Sequence, residues 1–259
     1  MRGRAATLIA VCIGLAAPPL ARAQIGGGDF GRPLSSDRPE GFGSPQSWAA
    51  ELRFGPYRPD VDSEFSGRAM PYTEFFGTGS SFLFSIEVDY QLWHRFGSLA
   101  IGGSAGWFSD SAKACRPATC AQRVPGDESS INLIPLALLA VYRFDVPALK
   151  WNLPLVPYGK FGLAYDIWWF TTGNGDVATS SGGQDSARGG TFGIVAAGGL
   201  AFMLDWLDRE AAVSLDGDLG INHTYLFFEL YTARVNGLGQ SNALHVGDTT
   251  WAAGLSFEF

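Results

Sequence analysis

Hydrophobic and polar positions alternate along most of the chain, and the alternation is clearest at its end. In Thr249–Phe259 every second residue is apolar or small: Trp251, Ala253, Leu255, Phe257 and Phe259. The residues between them are small or polar: Thr250, Ala252, Gly254, Ser256 and Glu258. A period of two is the signature of a half-buried strand. About ten such residues is the length that crosses a bilayer as a tilted β-strand.

Seven earlier segments carry the same pattern. They fall near 47–57, 81–93, 98–108, 134–144, 157–169, 191–204 and 213–227. The second is the cleanest: Phe82, Phe84, Ile86, Val88, Tyr90 and Leu92 share one face, and Ser85, Glu87, Asp89 and Gln91 the other. Pro135 cannot donate to a ladder, so pairing in the fourth segment is expected to begin at or after it. In the seventh, Val213, Leu215, Leu219, Ile221, Tyr225 and Phe227 are expected to face outward. Asp216, Asp218, Asn222 and Thr224 are then expected to face inward.

The connections alternate in length. Residues 58–80, 109–130, 172–190 and 229–248 read as long polar loops, and those near 94–97, 145–156 and 205–212 as shorter turns. The expected fold is therefore all-β: an eight-stranded antiparallel up-and-down transmembrane β-barrel, closed between its first and last strands. Long loops are expected at the extracellular end, short turns and both termini at the periplasmic end.

Charge agrees with this reading. No Asp, Glu, Lys or Arg falls on the apolar face of any proposed strand, where Lys or Arg would cost about 2–4 kcal/mol at the midplane. His223 is the one ionisable exception. The other face carries Glu51, Arg53, Glu87, Asp89, Arg143, Lys160, Asp166, Asp216, Asp218 and Glu258. Eight strands leave an interior just wide enough for side chains. Unpaired buried carboxylates are costly, so the three bases are expected at the centre of ion-pair networks. Aromatics concentrate at strand ends, as two interfacial belts require. Tyr57, Phe82, Trp107, Trp168, Trp169, Phe192, Tyr225, Phe227 and Trp251 fall at the loop end. Trp48, Trp93, Phe96, Tyr142, Phe144, Phe202, Trp206, Phe257 and Phe259 fall at the turn end.

Composition sharpens the class. Of 259 residues 46% are hydrophobic and only 17% charged, against about 25% charged in soluble domains. Residues 1–23 read as a signal peptide: Arg2 and Arg4, an apolar core Ala5–Ala17 containing Cys12, and a small-x-small site at Ala21-Arg22-Ala23. Residues 24–46 are Gly-, Pro-, Ser- and Asp-rich and read as a flexible periplasmic leader, leaving 47–259 as the barrel. Cleavage removes three Arg, so 15 basic against 25 acidic residues leave a net charge of −10. That balance argues against a nucleic-acid partner. Cys115 and Cys120 remain, and an even pair in an exported chain is expected to form a disulfide.

The whole mature chain resembles the small eight-stranded outer-membrane barrels of the OmpA, OmpX and OmpW general type. Glu51-Leu-Arg-Phe-Gly-Pro-Tyr-Arg-Pro, Pro154-Leu-Val-Pro-Tyr-Gly-Lys-Phe-Gly-Leu and Trp168-Trp169 more closely resemble a barrel family of myxobacteria-like bacteria. The resemblance implies fold and location and carries no catalytic residues. It also implies that Trp251, Leu255, Phe257 and Phe259 form a C-terminal assembly signal, read by the barrel-assembly machinery. The other expected partners are outer-membrane lipid and lipopolysaccharide.

Four motifs could carry chemistry. Gly102-Gly-Ser104-Ala-Gly106 matches a nucleophile elbow but lies within a strand pattern, where the motif needs a strand-to-helix turn. Gly26-x-Gly28-x-x-Gly31 matches a dinucleotide fingerprint without the flanking strand and helix. Asp216-x-Asp218 starts like a calcium loop and lacks its remaining ligands. His223, Thr224 and Glu229 could be cast as the base, nucleophile and acid of a lipid-modifying enzyme. None implies a cofactor or a metal. The leading expectation is a non-enzymatic barrel with a packed polar lumen, acting in envelope structure or surface interaction through four long loops. A narrow channel for small solutes or cations is the alternative, and a lipid-modifying enzyme the less favoured one.

Overall fold

The computed structural model of the chain describes residues 47–115, 123–151, 153–179, 185–207, 209–240 and 242–259. Alternation places side chains on two faces, and closing the sheet makes one face an interior and the other an exterior. Eight antiparallel strands do this in sequence order: β1 Trp48–Tyr57, β2 Ser81–His94, β3 Ser98–Cys115, β4 Arg123–Arg143, β5 Leu155–Thr171, β6 Arg188–Met203, β7 His223–Val235 and β8 Thr249–Glu258. β8 closes on β1 through pairs from Ala49↔Glu258 to Phe54↔Ala253, so neither edge is left open. Signal-peptide, cleavage-site and leader residues, and Cys120 of the expected disulfide, lie outside the described residues.

The exterior is a band of exposed apolar side chains. Leu52, Ile86, Val88, Ile101, Leu138, Leu163, Leu200, Leu226, Phe228 and Leu230 occupy it. Aromatics flank it at the loop end (Phe82, Trp107, Phe192, Trp251) and at the turn end (Trp48, Trp93, Tyr142, Phe259). Phe82 is 73% exposed, and a continuous apolar band of this kind is rare on a surface that faces water. Among the described residues no Asp, Glu, Lys or Arg faces outward between the two belts. Arg188 and Arg234 point outward only at the loop ends of β6 and β7. This exterior is lipid-facing, and the barrel is a transmembrane one.

Several expectations need correction. β4 runs through Pro135 instead of starting there. Its pairing with β3 skips two residues, from Ala105↔Leu136 to Phe108↔Leu133, and keeps register, while Pro135↔Asp166 continues the ladder to β5. The missing N–H thus costs a local gap and not a strand. β3 and β4 also continue past the expected strand ends, into the stretch read as loop 109–130. Tyr57, Trp168, Tyr225 and Phe227 are interior residues and belong to neither belt.

The seventh strand is the largest correction. Residues Arg209–Leu219 form a helix, α3, and not the first half of a strand. Glu210-Ala-Ala favours helix, and Gly220 at φ 70° ends it by the left-handed conformation that glycine adopts freely. The strand begins at His223 with the opposite face inward. Tyr225, Phe227 and Glu229 point into the lumen, and Leu226, Phe228 and Leu230 into lipid. Asp216 and Asp218 therefore lie on a turn-side helix, outside the lumen. A shorter helix, α2 Val146–Trp151, occupies the β4–β5 turn.

The first long loop folds back over the barrel mouth. It carries a 3-10 turn, Val61–Phe65, and a short helix, α1 Pro71–Phe76. The Asp62 carboxylate accepts from the Tyr72 and Thr73 N–H groups, tying these two pieces together. Val61 and Tyr72 are buried against Phe108, Ile131, Leu133, Val235 and Val246. The Tyr57 hydroxyl donates to the Val246 carbonyl, which anchors the fourth loop to the same plug.

Candidate functional site

The interior has three layers, and each follows from the inward residues of consecutive strands. The loop end is the apolar plug just described. The turn end is filled by Val156, Tyr158, Ala201, Tyr225 and Phe227. Between them lies a layer of charge.

β1 contributes Glu51 and Arg53, and β2 contributes Glu87 and Asp89. Pairing sets Glu51 directly opposite Glu87. Like charges in that position repel, so the arrangement stands only with cations between them. Lys160 of β5 supplies one: Nζ lies 2.5 Å from Glu51 Oε2 and 2.7 Å from Glu87 Oε1. Arg53 supplies another, 2.6 Å from Glu87 Oε2 and 3.2 Å from Glu51 Oε2 through Nη2. Arg53 Nε also sits 2.8 Å from Glu229 Oε1. Arg143 of β4 reaches Glu51 Oε1 at 2.6 Å, Asp89 Oδ2 at 3.0 Å and Glu258 Oε1 at 2.9 Å. Glu51 thus touches all three bases. Tyr158 and Tyr225 complete the layer, their hydroxyls donating to Glu229 and Glu258, each at 3.0 Å.

These groups are buried: Glu229 and Asp89 are 0% exposed and Glu87 1%. In such surroundings an ion pair is held by geometry, and losing one partner leaves a charge that nothing offsets. Two cavities of about 40 and about 10 Å³ flank the layer, where one water needs about 10–15 Å³.

Of the ten lumen residues expected from sequence, seven meet in this network: Glu51, Arg53, Glu87, Asp89, Arg143, Lys160 and Glu258. Asp166 is interior, 2% exposed, but stands apart from it on the loop side. Asp216 and Asp218 are elsewhere, as above. Glu229 was read as loop and is a full member. Its signal was available: it is the only charge within the run Tyr225–Tyr231, and a charge there fixes which face is inward.

The three residues cast as an enzyme do not assemble. His223 Nδ1 pairs with Asp205 Oδ2 at 2.6 Å, at the turn end. Glu229 is six residues further along the strand, about 20 Å at about 3.4 Å per residue, and is bound to Arg53. His223 is also no exception on the lipid face, because it shares the inward face of β7 with Tyr225. Trp251, Leu255 and Phe257 of the expected assembly signal lie on the outward face of the closing strand, and Phe259 follows it, exposed.

A second feature lies at the loop end. A cleft of about 630 Å³ opens between the first and fourth loops, lined by Arg58, Asp60, Ser63, Arg234, Asn236 and His245 among others. Burial pushes the Asp248 carboxyl on its wall above the usual range, against the N–H donations it receives from Arg58 and Thr249. This is the size of cavity that takes a small ligand.

No family model and no curated protein matches the chain. Among solved structures it is similar to Ail, the attachment invasion locus protein of Yersinia pestis, crystallised with the heparin analogue sucrose octasulfate. That match has 12% identity over 83% of this chain and 97% of the other, with a TM-score of 0.41. It is similar to neisserial surface protein A, at 12% identity over 83% and 98% with a TM-score of 0.42. It is also similar to the outer membrane protein OprG from Pseudomonas aeruginosa, at 14% identity over 84% and 97% with a TM-score of 0.44. What the residues of this chain establish by themselves is an eight-stranded antiparallel β-barrel with a lipid-facing exterior and a charge-filled interior.

Proposed function

We propose that this protein is a non-conducting, non-catalytic barrel of the bacterial outer membrane that acts in envelope structure or surface interaction through its loops. The observation that carries the reading is the charge layer: three bases hold five carboxylates across the lumen, between two apolar plugs. Such a layer supports a structural interior more than a channel, since conduction needs sites weak enough to leave.

The loop end is then the working end, facing outside the cell. Arg234 and Arg188 stand on the outward face just above the apolar band, and Arg58 and His245 line the cleft. Cations at that level suit the phosphates of outer-leaflet lipopolysaccharide. Delivery to the membrane follows cleavage near Ala23, with the outward aromatic strand Thr249–Phe259 read by the assembly machinery. The test is binding of purified lipopolysaccharide by the folded protein in detergent. Replacing Arg188 and Arg234 by Gln is expected to weaken binding at least fivefold without altering the folded fraction. Unchanged binding would contradict the surface role at this position.

A further inference from the structure

Among the described residues Asp166 is the one lumen carboxylate that the network does not reach. It is 2% exposed, and no described residue offers it a hydrogen bond or an opposite charge within ion-pair distance. It lines the cavity of about 40 Å³ between the charge layer and the loop-side plug. Ser85, Ser104 and Tyr231 line the same cavity with their hydroxyl side chains. One carboxylate and three hydroxyls therefore border one small cavity.

The charge balance of the surroundings points the same way. Arg53 and Lys160 border the cavity, but Glu51, Glu87 and Glu229 already hold both. With Arg143, Asp89 and Glu258 included, the layer has five carboxylates against three bases. Asp166 adds a sixth. An uncompensated buried carboxylate is among the costliest arrangements in a protein.

We propose that this cavity is a binding site for a small monovalent cation, held by Asp166 and the hydroxyls of Ser85, Ser104 and Tyr231 together with one or two waters. The volume admits about three water-sized species, which excludes organic cations. The single carboxylate offsets one positive charge, which matches a monovalent ion, and the space is too small for the water shell that magnesium keeps. The net negative surroundings exclude an anion. The cation would act as an internal counter-ion that locks the loop-side half of the barrel.

The test is unfolding of the wild-type protein in detergent, at equal ionic strength, in lithium, sodium, potassium or choline chloride. Binding to the folded state alone multiplies the folded-to-unfolded ratio by one plus the ratio of concentration to Kd, about elevenfold at ten times Kd. The midpoint is expected to be higher in one alkali salt than in choline, and Asp166→Asn is expected to abolish the difference. Should Asp166→Asn fail to fold, Ser104→Ala is read in its place and is expected to reduce the salt preference. Equal midpoints in all four salts would overturn the proposal. So would an infrared band of a protonated carboxylic acid in the wild type that Asp166→Asn removes.

Discussion

Glu51 is the residue on which the interior turns, because it meets Arg53, Arg143 and Lys160 at once. Its bases are exchangeable only at a cost. Arg53→Met keeps much of the volume and strands Glu87 and Glu229 without their guanidinium, so the expected loss is about 3–5 kcal/mol. Urea titration in phospholipid vesicles measures it, and a loss under 1 kcal/mol would mean the layer is not held as described. Adding Glu229→Gln to Arg53→Met is expected to restore part of the loss, since it removes one of the stranded charges. A pH effect belongs to the turn end. Burial raises the Asp145 carboxyl, which His94 Nε2 opposes from 3.0 Å. A carboxyl whose folded value is raised favours folding in its neutral form. Its contribution is full below the unfolded value near about 3.9 and is lost as pH rises through the folded one. Asp145→Asn is therefore expected to flatten the fall in stability above pH 4, and an unchanged slope would remove Asp145 as its source.

At the scale of the element, seven strands could be read from alternation and one could not, and β7 shows why. In Tyr225-Leu-Phe-Phe228 both faces are apolar, so the period of two carries no information about which is inward. The preceding Val213, Leu215 and Leu219 continue an apparent odd-numbered stripe, but helix-favouring residues and Gly220 take that stretch out of the sheet. A slip of one residue exchanges the whole strand between lumen and lipid. Only Glu229, taken as interior, settles the face. By contrast β1, β2 and β5 carry their charges within the alternating run, and Arg53, Glu87 and Lys160 were legible for that reason. How far a base reaches across the lumen depends on barrel closure, which no local pattern encodes, so the particular pairs were not legible. Nor was the folding of the first loop over the mouth, which rests on contacts between distant segments such as Tyr57 and Val246. Nitroxides at Leu226 and Phe228, in a background without Cys115 and Cys120, are expected to collide freely with oxygen dissolved in lipid. Those at Tyr225 and Phe227 are not. The reverse result would return β7 to the face expected from sequence.

For the whole molecule, the layered interior and the lipid-facing exterior make one account. An apolar plug, a charge layer and an aromatic plug follow one another along the axis, with a cleft between the first and fourth loops at the loop end. The long loops can be altered without touching the charge layer, because none of its members lies beyond the strands. The central claim is that ion pairs close this barrel, and planar-bilayer recording of the purified, folded protein tests it most directly. The expected record is free of steady conductance in potassium chloride at either polarity. A steady, cation-selective conductance from folded protein would contradict the claim.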